Sequence, residues 1–99
     1  MRVIAKSTLR AFWTKPGRHD AEQPILTWYR EAERADWSSP ADIKRQHGSA
    51  SILENGRVVF NIAGNKCRLV AAIRYDLKII FVRFVGMHTE YDPVDAQEI

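Results

Sequence analysis

The chain is poor in the residues that tie a protein down covalently or carry it across a membrane. A single cysteine, Cys67, in 99 residues excludes an internal disulfide framework and a cysteine-based zinc site. No apolar run approaches the length of a bilayer-spanning helix, and the N-terminus carries no signal-peptide pattern. Internal repeats, linkers and low-complexity segments are absent as well. Residues 1–99 therefore read as one domain with a single core of modest extent, expected to be soluble and cytoplasmic. Cys67 falls on the apolar parity of a predicted strand, where a small core residue is expected before a nucleophile.

What is present is the composition of a folded protein. Hydrophobic residues make up 45% of the chain, with three Trp, three Tyr and four Phe, which excludes a disordered one. Fifteen Lys and Arg against 12 Asp and Glu give a net charge of +3, compatible with a polyanionic partner without requiring one. The distribution says more. From Asn55 to His88, Arg57, Lys66, Arg68, Arg74, Lys78 and Arg83 stand against Asp76 alone.

That same stretch predicts three consecutive strands. Asn55-Gly56 is a hairpin signal, because both residues tolerate positive φ. Val58–Ile62, Cys67–Tyr75 and Lys78–His88 follow, separated by turns at Ala63-Gly64-Asn65-Lys66 and Asp76-Leu77. Placing Ile62 opposite Cys67 sets Asn61 against Arg68. Placing Tyr75 opposite Lys78 sets Arg68 against Val85 and Val70 against Arg83. With period-two alternation, one face carries Val58, Phe60, Ile62, Leu69, Ala71, Ile73, Ile80, Val82 and Phe84. The other carries Arg57, Val59, Asn61, Arg68, Arg74, Phe81, Arg83, Val85 and Met87.

The first half is helical by periodicity. Met1–Ile4 forms a short strand, and Ser7 or Thr8 caps a helix through Leu9, Phe12 and Trp13 that ends at Lys15-Pro16-Gly17. Asp20-Ala21-Glu22-Gln23 has capping-box spacing for a second helix, with Ile25, Trp28, Tyr29 and Ala32 on its apolar face, running to about Asp36. Ser39-Pro40 opens a short third helix, and Ser51–Leu53 is a short strand. Val94–Ile99 is too short for an independent helix. Helices at one end and strands at the other predict an α+β domain of two layers. Two main helices cover one face of an antiparallel sheet, and the arginine face stays open.

Just past the third strand stands His88-Thr89-Glu90-Tyr91-Asp92. Histidine exchanges protons near neutral pH, and Arg68 and Arg83 have bidentate geometry suited to a phosphate. Asn61 adds a neutral donor and Lys66 a mobile charge. Such a set meets the needs of metal-free RNA cleavage, in which the ribose 2′-hydroxyl is the nucleophile. Each part also has a plainer reading. Arginines alternating along an exposed strand are ordinarily a solvated surface, and a histidine at a strand end is ordinarily structural. His88, Glu90 and Asp92 lack a fourth ligand, so neither a metal nor another cofactor is expected. His19 and His47 sit in polar connections with no expected role. Residue types and spacing alone stop at a basic α+β domain with RNA as one compatible partner.

The run Asn61-Ile62-Ala63-Gly64-Asn65-Lys66-Cys67-Arg68-Leu69-Val70 and the later His88-Thr89-Glu90-Tyr91-Asp92 closely resemble the HigB toxins. The opening Met1–Ile4 and the Trp28-Tyr29 helix share the likeness, so it spans nearly the whole chain. The resemblance implies a compact RelE-like fold and the toxin of a type II toxin–antitoxin pair. It implies an mRNA interferase that cuts translated messenger RNA on the ribosome without a metal. A HigA-like helix-turn-helix antitoxin would neutralise it, and operator DNA would be bound only through the toxin–antitoxin complex. Carried onto this chain, His88 and Tyr91 are the acid/base candidates, and Arg68 and Arg83 hold the scissile phosphate. Asn61 and Lys66 position the RNA, Arg57 and Arg74 extend the basic surface, and Glu90 orients its neighbours in the RNA-binding set. Two other classes remain open: a non-catalytic module that blocks translation by occupying RNA or ribosome, and an inactive relic that binds only the antitoxin.

Overall fold

Alternating apolar residues in the second half of the chain build the sheet on which the helices are laid. The computed structural model describes every residue except Asn65, so the part of the predicted turn and of the family-like run that falls on Asn65 lies outside the described residues. In chain order the elements are β1 (Arg2–Ile4), α1 (Lys6–Trp13), a 3-10 turn (His19–Ala21), α2 (Glu22–Arg34), α3 (Pro40–Gln46), β2 (Ser51–Ile52), β3 (Arg57–Ile62), β4 (Cys67–Arg74), β5 (Ile79–Met87) and the single helical turn α4 (His88–Tyr91). The strands form one sheet in the order β1-β5-β4-β3-β2.

β3, β4 and β5 make the expected antiparallel meander, with Asn61 opposite Arg68 and Ile62 opposite Cys67. Asn55 and Gly56 take φ of 60° and 70°, the mirror-image turn their sequence favours, and join β2 to β3. The sheet is not purely antiparallel, however. β1 runs parallel to β5, with Val3 beside Ile80. The helices between the two strands supply the crossover that a parallel neighbour requires.

A second departure alters the faces. Ala71 pairs with Val82, but Val70 pairs with Phe84, so Arg83 is an extra residue in a β-bulge. The expected pairs Val70–Arg83 and Arg68–Val85 are replaced by Val70–Phe84 and Arg68–Gly86. Beyond the bulge the alternation of β5 is inverted. Val85 and Met87, expected on the arginine face, pack against the helix-covered core, and Phe84 moves to the opposite side.

The main core lies between that face and the helices. Leu9, Phe12 and Trp13 of α1, Ile25, Trp28 and Ala32 of α2, Trp37 and Ile43 cover Val58, Phe60, Leu69, Ala71, Ile73 and Ile80. Phe60 is its centre, edge-on to Trp28 at 5.2 Å, stacked with Trp37 at 6.0 Å and edge-on to His47 at 5.3 Å. His47 is thus part of the aromatic cluster and not an idle loop residue, and burial pushes its pKa down against the opposing pull of Glu31. The caps also differ from expectation. α1 starts at Lys6 after Ala5, and α2 starts after Ala21 with no side-chain cap, because Asp20 turns instead to Lys66. Ser39 and Pro40 do open α3 as their order suggests.

The other face is not wholly open. Val59 and Val70 are buried beneath Ala96, with Leu53, Phe84, Tyr91 and Ile99 around them. The C-terminal segment therefore covers the middle of the face expected to remain bare. Because Phe60 joins α2 and the residues flanking α3 to the sheet, Phe60→Ala is expected to lower unfolding stability by about 3–5 kcal/mol. Urea denaturation measures this, and a loss under about 1 kcal/mol would contradict the assigned centre.

Candidate active site

The sheet end where β4 begins and β5 finishes brings Arg68, Lys66 and the residues of α4 together, while Arg83 stands at the bulge midway along β5. Arg68, half-buried, projects with Val70 from the side away from the helices, between Asn61 and Gly86. Gly86 leaves room there for its neighbours. A Cβ at that position would lie 2.6 Å from Cζ of Phe84 and 3.3 Å from Cβ of Glu90, so a larger residue would push the ring or α4 away. Arg83, exposed at the bulge, sets its guanidinium 5.4 Å from the centre of the Phe81 ring. Phe81 faces Ala72 and hence the same side as Arg68. Both arginines therefore lie on the flank that the helices leave uncovered.

α4 follows β5 without a loop. The His88 amide donates to the Lys66 carbonyl at 3.1 Å, which fixes the start of α4 beside the β3–β4 turn. The imidazole of His88 belongs to an exposed residue, whereas Tyr91 packs its ring 6.4 Å from that of Phe84. Glu90 accepts the Met87 N–H at 2.9 Å and Arg18 Nη2 at 2.8 Å. The Met87 N–H first, and then Arg18 against the opposing effect of burial, hold its carboxyl below the usual glutamate range. Lys66 pairs with Asp20, which raises the ammonium pKa and lowers that of the carboxyl. Asn61 Nδ2 donates to the Ser49 carbonyl at 3.0 Å. Cys67 is fully buried and its thiol pKa is pushed up by that burial, as suits the core residue expected.

Two members of the predicted set are elsewhere. Arg74 is at the far end of β4, about 20 Å from Arg68 at strand rise, and is paired with Asp76 at 2.9 Å. Arg57 stands opposite Ala72, where it donates to the main-chain oxygens of Ile99 and Asn55 at 3.1 and 2.9 Å. Neither joins the cluster. Glu90 is at the site but turned toward Arg18. Arg18 and Asp20 are the residues that sequence reasoning missed. Their partners are distant in the chain and share no periodicity with them, so no local signal marks them.

The fold and the site define a small basic α+β protein that presents cations, an imidazole and a phenol at one end of its sheet. Comparison with known families gives the class a name. A family model described as HigB_toxin, the RelE-like toxic component of a toxin–antitoxin system, matches residues 21–94. The chain belongs to that family, and is accordingly the toxic component of a toxin–antitoxin system with an antitoxin as partner. No curated protein sequence matches it. Among the described residues, no helix is long and apolar enough to cross a membrane.

The lowered pKa of Glu90 has a consequence for acid stability. A carboxyl whose folded pKa lies below its unfolded value adds stability above the unfolded pKa and loses it as pH falls toward the folded one. The wild type is therefore expected to lose more stability than Glu90→Gln as pH drops from neutral through and below the ordinary glutamate range. Parallel stability–pH curves from thermal melts would show that the contacts of Glu90 contribute nothing.

Proposed function

We propose that this toxin is a ribosome-dependent messenger-RNA endonuclease working by metal-independent acid–base chemistry. The observation that carries the reading is the shared flank, where Arg68, Arg83 and Tyr91 lie on the side opposite the helices and His88 opens the turn at its end. The ribose 2′-hydroxyl attacks the neighbouring phosphorus, and the bond to the 5′-oxygen breaks. Of His88 and Tyr91, one accepts the 2′-proton and the other protonates the departing oxygen. Arg68 and Arg83 stabilise the charge that develops on the non-bridging oxygens, by paired N–H donors. Lys66 and Asn61 guide the strand toward them.

So small a face offers few base contacts, so orientation of the substrate falls to the ribosome. Action on translated messages sets the protein in the cytoplasm. A HigA-like helix-turn-helix antitoxin is the proposed partner, with operator DNA bound through the toxin–antitoxin complex. The packing of Tyr91 into the Val59–Val70 cluster favours a second reading, in which the phenol is structural and the protein blocks translation by occupancy.

Induced expression is expected to arrest growth and to leave cut transcripts. His88→Ala is expected to slow ribosome-dependent cleavage by about a hundredfold to ten-thousandfold. Arg68→Ala with Arg83→Ala is expected to abolish it, and the purified protein to cut free RNA poorly. Transcripts that remain intact on induction count against the nuclease reading. Full toxicity of His88→Ala combined with Tyr91→Phe would put occupancy in its place.

A further inference from the structure

Two ion pairs leave one short segment and end on either side of the candidate site. Arg18 Nη2 lies 2.8 Å from Glu90 Oε1, and Asp20 pairs with Lys66. Between them runs the 3-10 turn His19–Ala21, anchored by Ala21, which is 1% exposed. The Arg18 guanidinium also lies 5.4 Å from the centre of the Phe12 ring, in the main core. The segment is thus fixed from below before it reaches outward.

The contacts close a ring. Arg18 holds Glu90, and Glu90 accepts the Met87 N–H and so fixes the start of α4. The His88 amide bonds to the Lys66 carbonyl, Lys66 pairs with Asp20, and the backbone returns from Asp20 to Arg18. An isolated exposed ion pair adds little to stability. A closed circuit acts differently, because neither α4 nor the β3–β4 turn can shift against the other without breaking a contact. Acid–base transfer is sensitive to displacements of that kind.

We propose that Arg18 and Asp20 are positioning residues, a brace that fixes the spacing between the turn bearing His88 and Tyr91 and the turn bearing Lys66. The brace belongs to the free protein, and its effect on cleavage rests on the nuclease reading above. Neither residue touches the substrate in this scheme. Both act through side chains that do or that hold those that do.

Two measurements on the full chain test it. In the free protein, Arg18→Ala is expected to speed amide hydrogen exchange in α4 about fivefold while Leu69–Ile73 of β4 stay unchanged, and Arg18→Lys to restore most of the protection. Asp20→Asn is expected to do the same at the His88 amide. In ribosome-dependent cleavage, Arg18→Ala is expected to lower kcat about tenfold with KM changed by less than about twofold. Unchanged exchange in α4, or equal loosening of β4, overturns the brace. Loosened α4 with wild-type kcat overturns its positioning role. Exchange that responds as expected in a protein that cuts no RNA keeps the brace and removes the nuclease reading. Should Arg18→Ala fail to fold, Glu90→Gln weakens the same contact from the other side and is read in its place.

Discussion

Strand β5 serves two layers of packing because its alternation is broken once, at Arg83. Without the extra residue, Phe84 would face the helices, and Val85 and Met87 would lie on the open flank. The bulge sends Val85 and Met87 into the helix-covered core and turns Phe84 out beside Val70. Phe84 then supplies the surface on which Tyr91 rests. It also sets Gly86 across from Arg68, where a Cβ would displace the Phe84 ring. The end of the sheet that carries the candidate chemistry is therefore shaped by a single inserted residue.

Much of this was legible in the chain. The meander, its first turn register and the helix-covered face all follow from alternation, and Asn55-Gly56 adopts the turn its composition demands. The bulge was not legible. Arg83 sits in a run of apolar residues where either alternation is acceptable, and only the packing of both layers selects one. The parallel pairing of β1 was hidden for a related reason, since a three-residue strand carries too little pattern to announce a neighbour or a direction. Asp20 shows the limit of spacing arguments most directly. Its position reads as a helix cap, yet a lysine brought close by the fold competes for the same carboxylate.

The candidate site divides along the same line. Arg68, Asn61 and Lys66 were placed together by the β3–β4 turn, which is local and thus readable. Arg57 and Arg74 share the parity of Arg68, and parity alone grouped them with it. Parity specifies a face and not a position along the strand, so it joined residues that the rise of a strand keeps well apart. Charge counting has the same weakness. Of the basic residues in the meander, Lys66, Arg74 and Lys78 have acidic partners, so the sequence total overstates the charge offered to a polyanion.

Coverage of the open flank bears on how such a protein would discriminate among substrates. Ala96 and Ile99 lie over Val59 and Val70, and Arg57 holds the last main-chain oxygen. The apolar middle of the face is occupied by the chain itself, which separates Arg68 at the end near α4 from Arg74 at the far end of the strand. On the nuclease reading, a flank so reduced would grip a phosphate but offer little area for reading bases. Recognition would then come from whatever presents the strand in extended form, and the protein's own contribution would be the exact spacing of a few donors. On the proposed nuclease reading, that division of labour would give weight to contacts remote from the phosphate, such as Arg18 with Glu90. With few groups at the proposed site, the rigidity of their supports would then take the place of numbers.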